Sequence, residues 1–145
     1  MKTIVLCSSA NFYQHVCKIA DELEQKGFSP IIPLTARKMK KTGNFKAEDY
    51  RTWHKNPADF YKKTALMNDH FKEVAKADAV LVINDEKHGV AGYIGTNVLM
   101  EIAVAYKLNK PLFILNNVSK DSNTYEEIKG MCAKMINGNL QNIKL

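Results

Sequence analysis

The chain has 145 residues, a formal net charge of +6 and 46% hydrophobic residues. This length fits one domain, residues 1–145, which buries a core without disulfides or metal, and no apolar segment reaches the ~20 residues of a membrane-spanning helix. The three cysteines are odd in number and lack CxxC spacing, so we expect reduced thiols in a cytoplasmic protein. Because the lysines are spread along the chain, no specific nucleic acid partner is predicted.

The first third of the chain is typical of a strand–helix–strand unit. "TIVLCS" (3–8) predicts a short buried strand, and the amphipathic segment after it ends at Gly27. Its apolar residues recur at helical spacing: Phe12, Val16, Ile19, Ala20 and Leu23. "SPIIPL" (29–34) predicts a second strand, and residues 35–56 show no sustained periodicity, which indicates a long connection. Trp53, Phe45 and Tyr50 in this connection either cover a site or contact a neighbouring subunit.

The rest of the chain continues the alternation. Apolar spacing predicts a helix from Pro57 to Lys76, then "DAVLVIN" (78–84) predicts a buried strand without polar alternation, as in central parallel strands. A helix at 96–108, a strand "KPLFILN" (110–116) and a closing helix over 121–136 follow. This order predicts an α/β fold: a flavodoxin/Rossmann-like three-layer sandwich with a mostly parallel sheet of about five strands.

Ligands in such sheets bind beyond the carboxyl ends of the strands, where the strand order reverses. In the flavodoxin-like order this point lies between the first and third strands, which brings residues 7–12 and 84–96 together. Thr96 or Asn97 is predicted to cap a helix, and two helix N-termini at one cleft favour an anionic or polyhydroxylated ligand. Gly92 and Gly95 either let backbone approach a ligand or form ordinary turns.

Glu101 is the one charged residue within "GYIGTNVLMEIAVAY" (92–106). It lies beside Val98 and Ile102 on the border of the apolar stripe, so it does not face solvent. Helical side chains lean toward the N-terminus, so this carboxylate is expected to look back toward the glycine loop. A buried carboxylate is costly without a partner, and a structural ion pair or a bond to the loop backbone is the alternative to a functional role.

The segment 78–116, with "ADAVLVIN", a glycine-bearing loop and "GTNVLMEIAVAYKLNKPLFILN", resembles the core of the nucleoside 2-deoxyribosyltransferase-like family, which includes hydrolases of deoxynucleoside monophosphates. "LCSSANF" resembles that family's first loop. The resemblance implies that Glu101 is the nucleophile that accepts the sugar, and that the substrate is a nucleoside or nucleotide. It also implies a homo-oligomer, a dimer or tetramer.

Loop residues at the predicted cleft are the candidate substrate-binding residues under this resemblance. They are Cys7, Ser8, Ser9, Asn11, Phe12, Asn84, Asp85, Gly92, Tyr93, Ile94, Gly95, Thr96 and Asn116. Where the family has an aspartate eight residues before the position of Asp78, this chain has His70, with Asp69 next to it. We therefore assign His70 and Asp69, together with Glu101, as catalytic candidates. Relatives have an acid or a serine six residues before the nucleophile. This chain has Gly95 there, followed by Thr96.

Two other functions remain open. The glycine loop and helix also resemble lysine-decarboxylase-like phosphoribohydrolases, although their arginine and double glycine are missing here. A nucleotide-sensing module without turnover needs only the two loops, whereas an enzyme also needs Glu101 and a proton donor. No cofactor is predicted, and no metal, because the histidines show no metal-binding spacing: His15, His54, His70 and His88.

Overall fold

The computed structural model describes residues 1–145 and contains five strands and five α-helices. The strands are β1 (Thr3–Ser8), β2 (Ser29–Ile31), β3 (Ala79–Ile83), β4 (Leu112–Ile114) and β5 (Lys134–Met135). The α-helices are α1 (Tyr13–Gln25), α2 (Leu34–Thr42), α3 (Phe60–Lys76), α4 (Thr96–Lys107) and α5 (Tyr125–Gly130). None of the helices combines the length and the apolar character that crossing a membrane requires.

The five strands form one parallel sheet in the order β2-β1-β3-β4-β5. The predicted α/β three-layer fold and its flavodoxin-like strand order are therefore confirmed. The order reverses between β1 and β3, so the loops after these two strands open onto the same edge of the sheet.

Alternating side chains of the strands pack into two apolar layers, one on each face of the sheet. Ile4 and Leu6 of β1 pack under α1, whereas Val5 and Cys7 point to the opposite face. That second face is covered by residues of α3, α4 and α5. β3 is buried on both faces because its sequence "AVLVI" is apolar at every position. Cys7 thus lies under the two helices that carry His70 and Glu101.

The interpretation of residues 35–56 as irregular connection is wrong for α2. Leu34–Thr42 forms a helix that ends at Gly43, whose φ of 75° gives the left-handed C-terminal cap. Few apolar residues face the core here, so periodicity is weak. The segment nevertheless consists mostly of good helix formers, and propensity is the signal that indicates the helix.

The predicted strand over 29–34 and closing helix over 121–136 are both longer than the observed elements. β2 ends at Ile31 because α2 begins only three residues later. α5 ends at Gly130, and Cys132 takes a positive φ of 57°, which no helix accommodates. The chain then turns back to the sheet and adds the two-residue strand β5 beside β4.

Candidate functional site

A cavity of about 300 Å³ opens at the carboxyl ends of β1 and β3. Its wall includes residues from both loops at the switch point, from α3 and α4, and from the connection between α2 and α3. Eight of the predicted site residues line it: Ser8, Ser9, Asp69, His70, Tyr93, Gly95, Thr96 and Glu101. The cavity therefore lies at the point where the strand order reverses.

Glu101 lies in the cavity wall with a side chain that is almost fully buried. It is 5% exposed and shares the buried stripe of α4 with Val98 and Ile102. Its Oε1 accepts a hydrogen bond from Asn97 Nδ2 at 3.2 Å. Its Oε2 is buried and has no hydrogen-bond partner in the protein. The side chain thus has one hydrogen-bonded oxygen and one buried oxygen that no protein group hydrogen-bonds.

His70 and Cys7 lie next to that oxygen. His70 Nε2 is 3.8 Å from Glu101 Oε2 and 3.3 Å from Cys7 Sγ. The three side chains come from α3, β1 and α4, and each is less than 10% exposed. A thiol, an imidazole and a carboxylate thus meet at the base of the cavity, with ligand atoms that all lie within 4.8 Å of one another.

The orientation of the imidazole is held from behind. His70 Nδ1 lies 3.2 Å from Glu73 Oε2, one turn along α3, and Arg37 of α2 donates to Glu73 Oε1 at 2.9 Å. Burial raises the pKa of Glu73. The hydrogen bond from His70 and the charges of His70 and Arg37 outweigh that effect and hold the pKa below its ordinary value. Glu73 was not among the predicted site residues, although its i,i+3 spacing from His70 is the signal for such a pair.

Burial raises the pKa of Glu101 above its ordinary value, while the His70 charge, Cys7 and Lys63 oppose the shift. Burial also raises the pKa of the Cys7 thiol, and Glu101 adds to that shift. Both groups hold their protons more tightly than they would in solvent.

A consequence for stability is that Glu101→Gln is expected to stabilise the protein at neutral pH. Below the ordinary carboxyl pKa of about 4.5 both states are protonated and the group contributes nothing. As pH rises past that value the unfolded chain loses the proton first, so stability falls until pH passes the raised folded pKa. Denaturant unfolding should give a gain on the order of 1 kcal/mol at pH 7 that shrinks toward pH 4. A less stable variant at pH 7 would identify Glu101 as a structural ion-pair partner.

Three cations face the cavity, and the sequence analysis did not identify them: Arg51, Lys63 and Lys87. Lys63 Nζ donates to Asn97 Oδ1 at 3.4 Å and Lys87 Nζ donates to Ser9 Oγ at 3.0 Å, so both amines use neutral partners. Burial and then the charge of Arg51 lower the pKa of each lysine. Arg51 lies 3.6 Å from Glu48, and three carboxylates also line the cavity: Asp69, Glu73 and Glu101. Lys63 and Lys87 form no ion pair, so these two amines are the groups that can bind an anion.

Aromatic side chains complete the wall. Trp53 and Tyr50 line the cavity, so the connection does cover the site, whereas Phe45 is absent from the lining. Lys63 Nζ lies 5.7 Å from the centroid of the Trp53 ring. Burial, and then the charge of Glu101, raise the pKa of the Tyr13 hydroxyl, which keeps it a hydrogen-bond donor at neutral pH.

Five predicted substrate-binding residues lie outside the cavity lining and have structural partners. Asn84 Oδ1 accepts from the backbone N–H of Asn116 at 2.8 Å, and Asn116 Nδ2 donates to the Asn84 carbonyl at 3.2 Å. Asp85 Oδ2 pairs with His15 Nδ1 at 2.8 Å. Phe12 and Ile94 are buried apolar side chains. These residues fix the two loops from which the lining residues project.

Asn11 and Cys7 border the cavity in different ways. Asn11 is exposed, and its Oδ1 accepts from Ser9 Oγ at 3.3 Å and from Arg51 at 3.5 Å. Cys7 is fully buried behind His70. The side-chain cap predicted for α4 from Thr96 or Asn97 is not formed, because the N-cap of that helix is Gly95, which has no side chain. Asn97 instead donates to Glu101.

Gly92 has a structural role in the loop. Its φ is 66°, and a Cβ at this position would collide with the Asn117 carbonyl oxygen. Gly92→Ala is therefore expected to destabilise the fold by about 2–4 kcal/mol, from the left-handed backbone and the clash together. Gly27→Ala is the matched control, because Gly27 also has a positive φ but no atom within 4 Å of its Cβ position. Equal losses in denaturant unfolding would show that the Asn117 contact costs nothing.

Together, the fold and the site define an α/β domain of flavodoxin-like strand order with a buried carboxylate and three cations in a cleft at the switch point. No protein-family model matches the chain, and no curated protein gives a match. Among solved structures, a 2-deoxyribosyltransferase from the psychrotolerant bacterium Bacillus psychrosaccharolyticus is similar, with a TM-score of 0.54 and 18% identity. The match covers 85% of this chain and 78% of that one. At this identity the similarity concerns the fold.

Proposed function

We propose that the protein cleaves or transfers the N-glycosidic bond of a nucleoside or nucleoside 5'-monophosphate, with Glu101 as nucleophile. The observation that carries this proposal is the buried Glu101 Oε2, which lies in a cavity wall without a hydrogen-bond partner. Most buried polar side-chain atoms have a hydrogen-bond partner, so an unpartnered carboxylate oxygen beside a cavity favours a role toward a ligand. The fold shared with a 2-deoxyribosyltransferase supports the same chemistry.

The proposed reaction has two steps at the sugar C1' atom. In the first, Glu101 Oε2 forms a bond to C1' as the C1'–N bond breaks, and the leaving base takes up a proton from an acid. In the second, water or the nitrogen of an acceptor base attacks C1' and releases the carboxylate. Both steps pass through an oxocarbenium-like state, and the buried carboxylate stabilises its positive charge.

The two other catalytic candidates take different roles in this scheme. His70 Nε2 is 3.8 Å from Glu101 Oε2, which is shorter than the roughly 5–5.5 Å between the two carboxyls of retaining glycosidases. That spacing suits a group that orients Glu101 and favours its ionised form. Asp69, which lines the outer part of the cavity, is the proposed acid for the leaving base.

Arg51, Lys63 and Lys87 favour a substrate with a negative charge, such as a 5'-phosphate. Their amines use neutral oxygen partners that a phosphate can replace or join. Trp53 and Tyr93 provide apolar ring surface for a base or a sugar.

A nucleotide-binding module without turnover is the second candidate. The cationic wall and the cavity would serve binding equally well. The two functions differ in whether base is released.

The deciding experiment is chromatography of free base after incubation with a panel of nucleosides and nucleoside 5'-monophosphates, with and without an acceptor base. Base release supports the proposal, and dependence on the acceptor separates transfer from hydrolysis. Ligand binding detected by calorimetry without base release over the whole panel would overturn the enzyme proposal in favour of the binding module.

A further inference from the structure

The cluster of Cys7, His70 and Glu101 has the composition and spacing of a transition-metal site. The Sγ–Nε2 distance is 3.3 Å, the Nε2–Oε2 distance is 3.8 Å, and all three ligand atoms lie within 4.8 Å of one another. The ligand atoms of a tetrahedral zinc ion are separated by about 3.4–3.6 Å, as follows from zinc–ligand bond lengths. We propose that these three side chains bind one Zn²⁺ ion and that the bound ion inhibits the site.

The surroundings of His70 support this proposal independently. A metal-binding histidine commonly donates its second ring nitrogen to a carboxylate, which fixes the orientation of the ring. Here His70 Nδ1 faces Glu73 at 3.2 Å, and Arg37 holds Glu73 at 2.9 Å. Nε2 is therefore the nitrogen directed at Cys7 and Glu101, as coordination requires.

Charge balance also favours the ion. On binding, the Cys7 thiol gives its proton to solvent and coordinates as thiolate, and Glu101 coordinates as carboxylate. The two negative charges cancel the charge of Zn²⁺, so the buried cluster is neutral overall. The ion also supplies a partner for Glu101 Oε2, which has none in the protein.

The ligand types select the metal. One sulfur, one imidazole nitrogen and one carboxylate oxygen suit Zn²⁺ or Co²⁺, whereas Mg²⁺ and Ca²⁺ require oxygen ligands. Glu101 and His70 both line the cavity, so we expect a water molecule from the cavity as the fourth ligand. The sequence offers no motif for this site, because the ligands are 63 and 31 residues apart in the chain.

The inhibitory consequence rests on the proposed function. A metal ion bound to Glu101 Oε2 occupies the atom that would attack the sugar. Zn²⁺ and substrate then exclude each other, so Zn²⁺ should raise KM and a chelator should restore the activity.

The binding test uses Co²⁺ as a spectroscopic probe on chelator-treated full-length protein. Cys17→Ser/Cys132→Ser leaves Cys7 as the one thiol in the chain. In this variant we expect one Co²⁺ per chain, visible d–d bands of tetrahedral intensity and a near-ultraviolet thiolate-to-metal band. Zn²⁺ should abolish all of them and Mg²⁺ none. Absence of Co²⁺ binding, or binding without the thiolate band, would overturn the proposal.

Variants then test each part of the site. In a chelator-competition assay Glu73→Gln is expected to weaken Zn²⁺ affinity by about 10–100-fold, as expected for a carboxylate behind a metal-binding histidine. Cys7→Ser should remove the thiolate band, and the double variant above is its control. If Glu73→Gln binds Zn²⁺ like the wild type, the assigned geometry is wrong.

Inhibition is measured separately, as base release with and without Zn²⁺. If the protein binds Co²⁺ but releases no base, the proposed function is wrong and the proposed metal site stands. Protein that releases base equally well with saturating Zn²⁺ would refute the inhibition.

Discussion

Glu101→Gln is expected to reduce base release by about 10³-fold or more while the protein remains folded. The amide keeps the size of the side chain and can still accept the hydrogen bond that Asn97 donates to Oε1, but it cannot form the glycosyl ester. The measurement is single-turnover base release by chromatography, with circular dichroism as the check on folding. Glu126→Gln is the matched control, because Glu126 is an exposed carboxylate on α5, outside the cavity.

Two further readouts separate a nucleophile from a carboxylate that only binds. Acid-quenched wild-type protein should carry a sugar adduct on the peptide that contains Glu101, since the proposed first step forms a covalent bond. Glu101→Asp withdraws the carboxylate by one methylene group, and a displacement of about 1 Å can cost 10²-fold. A variant at Glu101 that retains wild-type base release would contradict the nucleophile assignment.

The pH dependence of kcat/KM of the wild type is a second test of Glu101 as the nucleophile. The ionised carboxylate is the attacking form, so kcat/KM should rise as Glu101 loses its proton. Burial raises the pKa of this group, so the rising limb should lie above the ordinary carboxyl value of about 4.5. The proposed catalytic role and the expected stability cost thus have one origin, because both follow from the absence of water around Glu101.

Sequence patterns predicted those parts of the fold where one physical effect dominates. β3 and α4 are recognisable because a continuous apolar run and an apolar stripe each have one structural solution. α2 was missed because its apolar stripe is sparse, although its helix propensity is strong. β5 was missed because two residues contain no periodicity, and the turn before it depends on Cys132 with a positive φ.

The candidate site also contains one feature that the sequence predicts and others that it does not. Glu101 was predictable because a lone charge in an apolar stripe conflicts with its surroundings. The contact of Cys7 with His70 beside Glu101 was not predictable. It depends on how α3 packs over β1, and the two residues are 63 positions apart in the chain. The asparagines after β3 and β4 were placed at the correct edge of the sheet. Their pairing with each other is a matter of side-chain direction, which strand order does not specify.

The second large effect concerns the preference for a nucleotide over a nucleoside. It follows from the three cations of the cavity wall: Arg51, Lys63 and Lys87. Arg51→Gln/Lys87→Gln is expected to lower kcat/KM for a nucleoside 5'-monophosphate by about 10–100-fold, because charge-assisted hydrogen bonds are worth about 1.5–3 kcal/mol. For the corresponding nucleoside, kcat/KM should change by less than about threefold, because the two substituted side chains are proposed to bind the phosphate. Steady-state kinetics on the matched pair measures the ratio.

Salt and a control variant separate phosphate recognition from a general loss of positive charge. Lys18→Gln removes one charge from an exposed position on α1 outside the cavity and should leave the ratio unchanged. Added salt should weaken the monophosphate reaction of the wild type more than that of the double variant, because screening acts on charges that are present. If the double variant loses equal activity toward nucleoside and monophosphate, these cations shape the cavity instead of reading a phosphate. The anionic substrate class would then be wrong even with Glu101 confirmed as nucleophile, because the two assignments rest on different residues of the same wall.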